Sequence, residues 1–172
     1  RKEKYSGESR KPDVVPATLE EDLLRRDFTV NAMAVALNAG AFGTLLDPLG
    51  GRADLEARML RTPLDPLQTF DDDPLRMMRA VRFAAQLDCE IEPGVLQSVT
   101  TMRDRIRIVS QERITDEFLK ILSHEKPSIG LKILAETGVL GIVFPELDEL
   151  RGVEQRDKYH HKDVFQHTVQ VV

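Results

Sequence analysis

The chain has 172 residues, of which 41% are hydrophobic and 31% are charged, and its formal net charge is −5 at pH 7. This length and composition are typical of a globular protein with one domain or two small ones. No apolar stretch is long enough to cross a membrane and no apolar signal region opens the sequence, so we expect a cytoplasmic protein. The acidic charge excludes a protein that coats nucleic acid indiscriminately, although it leaves room for a local basic face. The chain begins with arginine, and we expect it to be a piece of a longer protein.

The first third of the sequence predicts short strands interleaved with helices. The first 16 residues are polar and indicate a loop that leads to a short edge strand around 14–15. Thr18, with Glu21 three residues later, forms a capping-box pattern at the start of a helix over 19–27. Short apolar runs separated by Gly- and Pro-containing turns then follow. They predict strands at 33–38, 44–46 and 59–61 and a short helix at 53–58.

The rest of the sequence predicts helices. Asp73 as a cap and Pro74 at the first helical position open a strong helix that runs to about Leu87. Gly138 marks the end of a later helix. Further helices are predicted at 93–105, 111–124, 127–137 and 159–172, with a short turn at 147–151. The predicted fold class is therefore α+β, mostly α, with short β-strands plus helix first and an all-helical part after them.

Two adjacent arginines, Arg25 and Arg26, precede Asp27 at the end of the predicted acidic helix. A guanidinium fork matches phosphate oxygens and stays charged at any physiological pH, so the pair is a candidate phosphate site. The alternative is structural, because basic residues in a last helical turn also complement the helix dipole.

A second arginine cluster lies in the helix that Asp73 opens. Asp73, Arg76 and Arg79 are spaced three apart and share one helical face. An Asp acceptor beside an Arg donor complements cytosine and adenine, each of which presents an exocyclic amine next to a ring nitrogen, whereas uracil and guanine present the reverse order. The pair therefore predicts a protein template for CTP and ATP. The alternative is that Asp73 caps the helix and pairs with Arg76 at the surface.

Other residues give weaker signals. Cys89 has no neighbouring base in the sequence, and we expect an inert thiol. His161 and His167 have no completed metal-ligand set, so a polar helical turn with Asp163 and His167 four apart is favoured. Three arginines that alternate by two are candidates for RNA phosphate contacts or for a solvated loop: Arg103, Arg105 and Arg107.

The chain resembles the tRNA nucleotidyltransferase and poly(A) polymerase family, the bacterial-type class of the DNA polymerase beta superfamily. The resemblance covers residues 12–172 and rests on three ordered stretches: LEEDLLRRDFTVNAMA, LLDPLGGRADLEARMLRT and DDDPLRMMRAVRFAAQL. It implies the C-terminal part of a nucleotidyltransferase head at 1–62, a helical neck at 63–125, a helical body at 126–152 and the start of a truncated HD-like region at 153–172. The implied reaction of the whole enzyme is addition of CMP and AMP to the 3′ end of tRNA, with release of pyrophosphate.

By this resemblance, an RRD element and the asparagine after it position the ribose and triphosphate, and an EDxxR element reads the base. The implied nucleotide-binding residues are Arg25, Arg26, Asp27, Asn31, Asp73, Arg76 and Arg79. Asp72 stands where the family commonly has glutamate. Asp47, Gly50 and Gly51 match a DPxGG loop that shapes the head, and the segment 112–114 resembles the element that opens the next neck helix.

The family's main metal-binding carboxylates follow an upstream GGxVRD-like segment, which this sequence does not contain. Because such transfer uses two Mg²⁺ ions, we expect their main ligands outside this chain and no metal site within it, and we expect the chain alone to be inactive. Asp13 is a weak candidate for a third catalytic carboxylate, and Glu3 a weaker one. ATP and CTP are the implied substrates and the tRNA 3′ end the implied partner. The alternatives are a poly(A) polymerase, an enzyme that adds only C or only A, and, in another class, a non-catalytic helical RNA-binding module.

Overall fold

The structure is a computed structural model that describes residues 2–4, 13–153 and 163–171, with the backbone alone for 2–4 and 13–15. The described strands are short. They are β1 (Lys2–Lys4), β2 (Asp13–Val15), β3 (Ala34–Val35), β4 (Leu45–Leu46), β5 (Met59–Leu60) and β6 (Glu90–Ile91). β1 pairs with β2 and β3 pairs with β4 in antiparallel fashion, whereas β5 and β6 are parallel.

Helices make up most of the described chain, which confirms the mostly helical α+β class. Those of the first half are α1 (Leu19–Leu24), a 3-10 turn (Thr29–Asn31), α2 (Gly51–Glu56), α3 (Pro66–Asp72) and α4 (Leu75–Leu87). Those of the second half are α5 (Pro93–Met102), a second 3-10 segment (Arg103–Ile108), α6 (Gln111–Leu122), α7 (Pro127–Glu136), α8 (Leu140–Val143), α9 (Pro145–Asp148) and α10 (Val164–Val171). No helix in the described ranges is long and apolar enough to span a bilayer.

Several predicted helix ends are wrong by a few residues, and strand β6 lies in a segment that was predicted to be all helical. The helix predicted over 19–27 ends at Leu24, because the chain turns there to bury Phe28 in a core formed with α4. The helix predicted over 93–105 becomes 3-10 after Met102. Because β6 pairs with β5, the segment 63–125 is not all helical.

Helix α4 lies between two clusters of buried side chains. On the side of the larger, helical cluster it contributes Leu75, Met77, Met78 and Val81. Its Ala80 belongs to a smaller cluster with Phe28 and Leu60, and Phe83 packs edge to face on Phe28 with ring centroids 5.7 Å apart. Helix α4 therefore fixes the segment after α1 to the helical part of the chain, which brings the two predicted arginine clusters together.

Glu117 on α6 is a buried carboxylate that connects α6 to α4. It is 3% exposed, and it accepts hydrogen bonds from Arg82 Nε and Lys120 Nζ, each at 2.8 Å. Burial opposes the ionisation of Glu117, but the two hydrogen bonds together with the positive charges of Lys120 and Arg82 outweigh it and hold the pKa of the carboxyl below its usual value.

We expect Glu117→Gln to lower the free energy of unfolding by about 2–3 kcal/mol at pH 7, because it leaves the Arg82 guanidinium, 15% exposed, without its counter-charge. A carboxyl whose pKa is lower in the folded state stabilises the fold above its unfolded value of 4.5, and this stabilisation is lost as the pH falls through the folded value. The difference between the two proteins should therefore shrink in acid. Urea unfolding at pH 7 and below pH 4 measures it, with Asp116→Asn at an exposed position of α6 as control. Equal effects of the two substitutions at pH 7 would contradict the prediction.

Candidate nucleotide site

The DPxGG loop supports the turn that carries Asn31. Asp47 caps α2, since its Oδ1 accepts a hydrogen bond from the Gly51 amide at 2.7 Å. Gly50 has φ +72°, a left-handed conformation that glycine adopts without strain. A Cβ on Gly51 would clash with the Thr29 carbonyl oxygen and lie 2.7 Å from its carbon. Gly50 is therefore favoured by its backbone conformation. Gly51 is favoured by the lack of a Cβ, which allows α2 to lie directly against the Thr29–Asn31 turn.

Asp27 is a connecting residue at the centre of the site. It is 6% exposed, and its Oδ1 accepts hydrogen bonds from Asn31 Nδ2 at 2.8 Å and from the Phe28 amide at 3.2 Å. Its Oδ2 accepts from Arg79 Nε at 2.6 Å. Both carboxylate oxygens therefore have partners inside the protein, and Asp27 couples the segment after α1 to helix α4.

Arg79 is held on two sides. Besides the ion pair with Asp27, its guanidinium carbon lies 5.4 Å from the centre of the Phe83 ring, within the range of a cation–π contact. The side chain of Arg79 remains 32% exposed. A fixed but partly exposed guanidinium can present its remaining N–H groups to a ligand.

Asp73 and Arg76 do not form with each other the surface ion pair that was the structural alternative for this cluster. Asp73 does cap α4, because its Oδ1 accepts from the Leu75 amide at 3.2 Å, but its ion pair at 2.8 Å is with Arg113 on α6. Arg76 donates through Nη2 to the Arg25 carbonyl oxygen at 2.8 Å. A surface pair between Asp73 and Arg76 is therefore wrong, and Arg76 forms a second connection between α4 and the arginine pair.

Arg25 and Arg26 both contact Asp22, which lies one turn earlier on α1. Arg25 Nη2 is 2.7 Å from Asp22 Oδ1, and Arg26 Nη2 is 3.5 Å from Asp22 Oδ2. The hydrogen bond from Arg25 is the main reason that the pKa of Asp22 is below its usual value. The arginine pair follows the helix instead of occupying its last turn, so the dipole interpretation does not describe it.

These side chains line one cleft with a volume of about 350 Å³, within the range of small-molecule pockets. All the residues predicted to bind nucleotide line it: Arg25, Arg26, Asp27, Asn31, Asp73, Arg76 and Arg79. Asp22, Leu75 and Arg113 also line it and were not predicted as site residues. The spacing of Asp22 and Arg25, three apart on a helix, contains a signal for the first of these, whereas Arg113 lies 40 positions beyond its partner and has no local signal. With five arginines and three aspartates, the cleft suits an anion that also carries hydrogen-bond donors.

The described residues contain no cluster of candidate metal ligands. Among them, no group of three or more His, Cys, Asp or Glu side chains is placed to hold a metal ion. Asp13 opens β2 and Glu3 lies in β1, but their side chains are outside the described part of the structure. His161 is also outside the described residues. His167 is exposed on α10, where the Gln166 amide donates to Asp163 Oδ1 at 3.0 Å.

The remaining candidates have partners within the protein or are buried. Cys89 is 7% exposed, and burial raises the pKa of its thiol, which disfavours a reactive thiolate. The three alternating arginines each have a partner: Arg103 donates to the Thr100 carbonyl, Arg105 pairs with Asp71 at 2.7 Å, and Arg107 pairs with Asp104 at 3.4 Å. Contact of these arginines with RNA stays a prediction.

Two family models match the chain. Residues 1–61 match the model described as "Poly A polymerase head domain", and residues 88–151 match that described as "Probable RNA and SrmB- binding site of polymerase A". Among curated relatives, the "Multifunctional CCA protein" of Vibrio campbellii is 40% identical over 160 residues, which are 90% of this chain and 38% of the relative. The chain thus spans less than half the length of this relative.

Solved structures match the fold as well. A CCA-adding enzyme of Bacillus stearothermophilus in complex with CTP has a TM-score of 0.67 and 41% identity, over 71% of this chain and 30% of that one. A tRNA nucleotidyltransferase complexed with a primer tRNA and an incoming ATP analog has a TM-score of 0.71 and 30% identity, over 79% of this chain and 42% of that one. Motifs, fold and relatives agree, and the chain belongs to the tRNA nucleotidyltransferase and poly(A) polymerase family.

Proposed function

We propose that this chain is part of a tRNA nucleotidyltransferase that adds CMP and AMP to the 3′ end of tRNA and releases pyrophosphate. One observation carries the proposal: a single cleft gathers every residue that the family resemblance assigns to the incoming nucleotide. ATP and CTP are the proposed substrates and the tRNA 3′ end is the proposed partner. A cytoplasmic location goes with that partner.

In this proposal the segment after α1 holds the sugar and phosphates. Arg25 and Arg26 are about half exposed in the cleft and offer guanidinium donors to phosphate oxygens. Asn31 Oδ1 is buried without a hydrogen-bond partner among the described residues, an uncommon condition that a ribose hydroxyl would satisfy. Asp27 acts through Arg79 and Asn31, both of which it orients.

Helix α4 reads the base. Arg113 and the α4 amide fix the Asp73 carboxylate, whose oxygens each keep a further lone pair for the exocyclic amine of cytosine or adenine. Arg76 is held by the carbonyl oxygens of Thr69 and Arg25 and keeps N–H groups for the ring nitrogen. Uracil or guanine would place carbonyl against carboxylate, at a cost of about 1–3 kcal/mol for each unsatisfied group.

Mg²⁺ belongs to the proposed reaction, since phosphoryl transfers of this class use it to neutralise the triphosphate. The described residues contain no group of three or more candidate ligands, and we propose that the ligands of Mg²⁺ come from polypeptide outside them. We therefore expect these 172 residues alone to bind nucleotide without transferring it. CMP or AMP addition to tRNA by this chain alone would contradict that expectation.

A poly(A) polymerase is the second candidate, because both matching family models are described by that enzyme. Products formed by the protein that contains this chain distinguish the two. A tRNA nucleotidyltransferase stops after CCA, whereas a poly(A) polymerase produces a long adenylate tail. A non-catalytic RNA-binding module would show neither product and no selectivity among nucleotides.

We expect CTP and ATP to raise the melting temperature of the chain more than UTP and GTP do, because only the first two match the Asp73 and Arg76 pattern. Asp73→Asn should reduce the selectivity about 10-fold or more, since the amide offers a donor where the base amine needs an acceptor. Thermal unfolding with each nucleotide measures both effects. Asp71→Asn is the matched control, because Asp71 lies two residues away, exposed and outside the cleft lining. Equal shifts with all four nucleotides would remove the template proposal.

A further inference from the structure

Helix α1 places one carboxylate against both arginines of the RRD element. Asp22 lies on the last turn of α1, one turn before Arg25, and all three side chains line the cleft. In the proposed function Arg25 and Arg26 hold the phosphate chain. Asp22 therefore has the same sign of charge as the proposed ligand and lies on the ligand's proposed partners.

The contacts are close enough to occupy donors that a phosphate would use. Arg25 donates from both Nε, at 3.0 Å, and Nη2, at 2.7 Å, to the same Asp22 oxygen. Arg26 approaches the other oxygen at 3.5 Å. The Nε and Nη2 edge of a guanidinium is one of its two-pronged edges for a phosphate, so Asp22 already uses one such edge of Arg25.

The position of Asp22 makes its charge relevant to a ligand. The Asp22 side chain is 26% exposed, while those of Arg25 and Arg26 are 45% and 48% exposed. The carboxylate is thus partly shielded from water but not separated from the cleft. Repulsion between Asp22 and a phosphate chain grows with the number of phosphate charges and is stronger near a protein surface than in bulk water.

We propose that Asp22 competes with the phosphate chain of the incoming nucleotide for Arg25 and Arg26, and thereby weakens binding in proportion to the charge of the ligand. This inference rests on the proposed function. Its consequence concerns pyrophosphate, the most highly charged product for its size. When pyrophosphate leaves the cleft, Arg25 and Arg26 can both pair again with the Asp22 carboxylate. The hydrogen bond from Arg25 also lowers the pKa of Asp22, so the competing group is charged at neutral pH.

Asp22→Asn separates charge from shape. Asparagine keeps an oxygen that can accept from Arg25 while it removes the negative charge. We expect the variant to bind pyrophosphate and CTP about 10-fold more tightly than the wild type, and CMP less than 3-fold more tightly, because one charge near a partly exposed pair acts mainly on highly charged ligands. Isothermal titration calorimetry on the 172-residue chain in Mg²⁺-free buffer, where the charge of each ligand is defined, measures the three affinities.

Two further variants control the test. Glu20→Gln makes the same charge change on an exposed position of α1 outside the cleft lining, and we expect it to alter each affinity less than 2-fold. Asp22→Glu restores the charge, and we expect affinities within 3-fold of the wild type. Unchanged or weaker pyrophosphate binding by Asp22→Asn would overturn the proposal and make Asp22 a residue that only orients the arginines. If the wild type selects CTP and ATP but Asp22→Asn has no effect, the proposed function stands and only the competition fails. If the wild type binds none of these ligands, both fail.

Discussion

Asp27→Asn is expected to lower the free energy of unfolding by about 2–4 kcal/mol. Asparagine can still accept from Asn31 and from the Phe28 amide, but its own N–H₂ group would then face Arg79 Nε, donor against donor. Removing one partner of a buried ion pair costs about 3–5 kcal/mol, and the 32% exposure of Arg79 lets water recover a part of this.

The same substitution should weaken CTP binding about 10-fold or more. Arg79 would lose the contact that fixes it over Phe83, and the segment that carries Arg25 and Arg26 would lose a connection to helix α4. A site whose parts must be ordered by the ligand binds less tightly than one that is already ordered. Urea unfolding and CTP titration measure the two effects.

A double-mutant cycle that combines Asp27→Asn with Arg79→Met tests whether the loss of stability comes from the ion pair between these two residues. We expect the double variant to be more stable than the sum of the single changes predicts, because no unpaired charge is left behind. Glu56→Gln is the control, since the pair between Arg52 and Glu56 is 70% and 65% exposed and should contribute little to the free energy of unfolding. A loss no larger for Asp27→Asn than for Glu56→Gln would show that Asp27 does not couple the two segments.

Residues with a local pattern were predictable from the sequence. The capping box of Thr18 and Glu21 is present, and the helices that start at Pro93, Gln111 and Pro127 begin at the predicted residues. The resemblance implied a set of candidate nucleotide-binding residues motif by motif, and these residues all line one cleft, although their contact with a nucleotide stays a prediction. They share the cleft because α4 carries one motif and packs against the other, a relation that each motif alone does not contain.

Partners across long sequence separations were not predictable. Arg113 reaches Asp73 over 40 positions, and Arg76 reaches the Arg25 carbonyl over 51. Spacing rules describe neighbours on one helix, so they favoured a pair between Asp73 and Arg76 that the tertiary structure replaces. The burial of Asp27 and its three internal hydrogen bonds are likewise tertiary facts that no local pattern contains, and its direct contact with the nucleotide stays a prediction.

Helix α3 and strand β6 were not predicted from the sequence, and the physical reason differs between them. Helix α3 has the same signal as α4, an aspartate followed by proline, with Asp65 accepting from the Leu67 amide at 2.8 Å, so its absence from the prediction was avoidable. Strand β6 has two residues, too few to show an alternating pattern, and it forms only because Leu60 of β5 lies beside it. The predicted domain boundaries at 62, 125 and 152 stay predictions.

Gly51→Ala should lower the free energy of unfolding by about 3 kcal/mol, near the upper end for overpacking, because the added Cβ meets backbone atoms of Thr29 and not a flexible side chain. Thr29 cannot easily move aside. Its amide donates to the Arg61 carbonyl at 3.0 Å, and its Oγ1 donates to Asp54 Oδ2 at 2.7 Å. The clash must therefore displace either α2 or the whole turn.

Displacement of that turn would also reach the cleft, because Asn31 belongs to it and donates to Asp27 at 2.8 Å. We expect the stabilisation of Gly51→Ala by CTP to fall by more than half, measured as the melting-temperature shift at saturating nucleotide.

Two further glycine substitutions separate steric overlap from backbone strain as the cause. Gly40→Ala has open space and no left-handed φ and should be neutral within about 0.5 kcal/mol, whereas Gly50→Ala has open space but φ +72° and should cost about 1 kcal/mol through backbone strain alone. If Gly51→Ala matched Gly50→Ala in stability and kept the full CTP shift, the DPxGG loop would not support the nucleotide site. A loss of stability together with a loss of the CTP shift would instead show that this loop acts on the nucleotide through Thr29, Asn31 and Asp27.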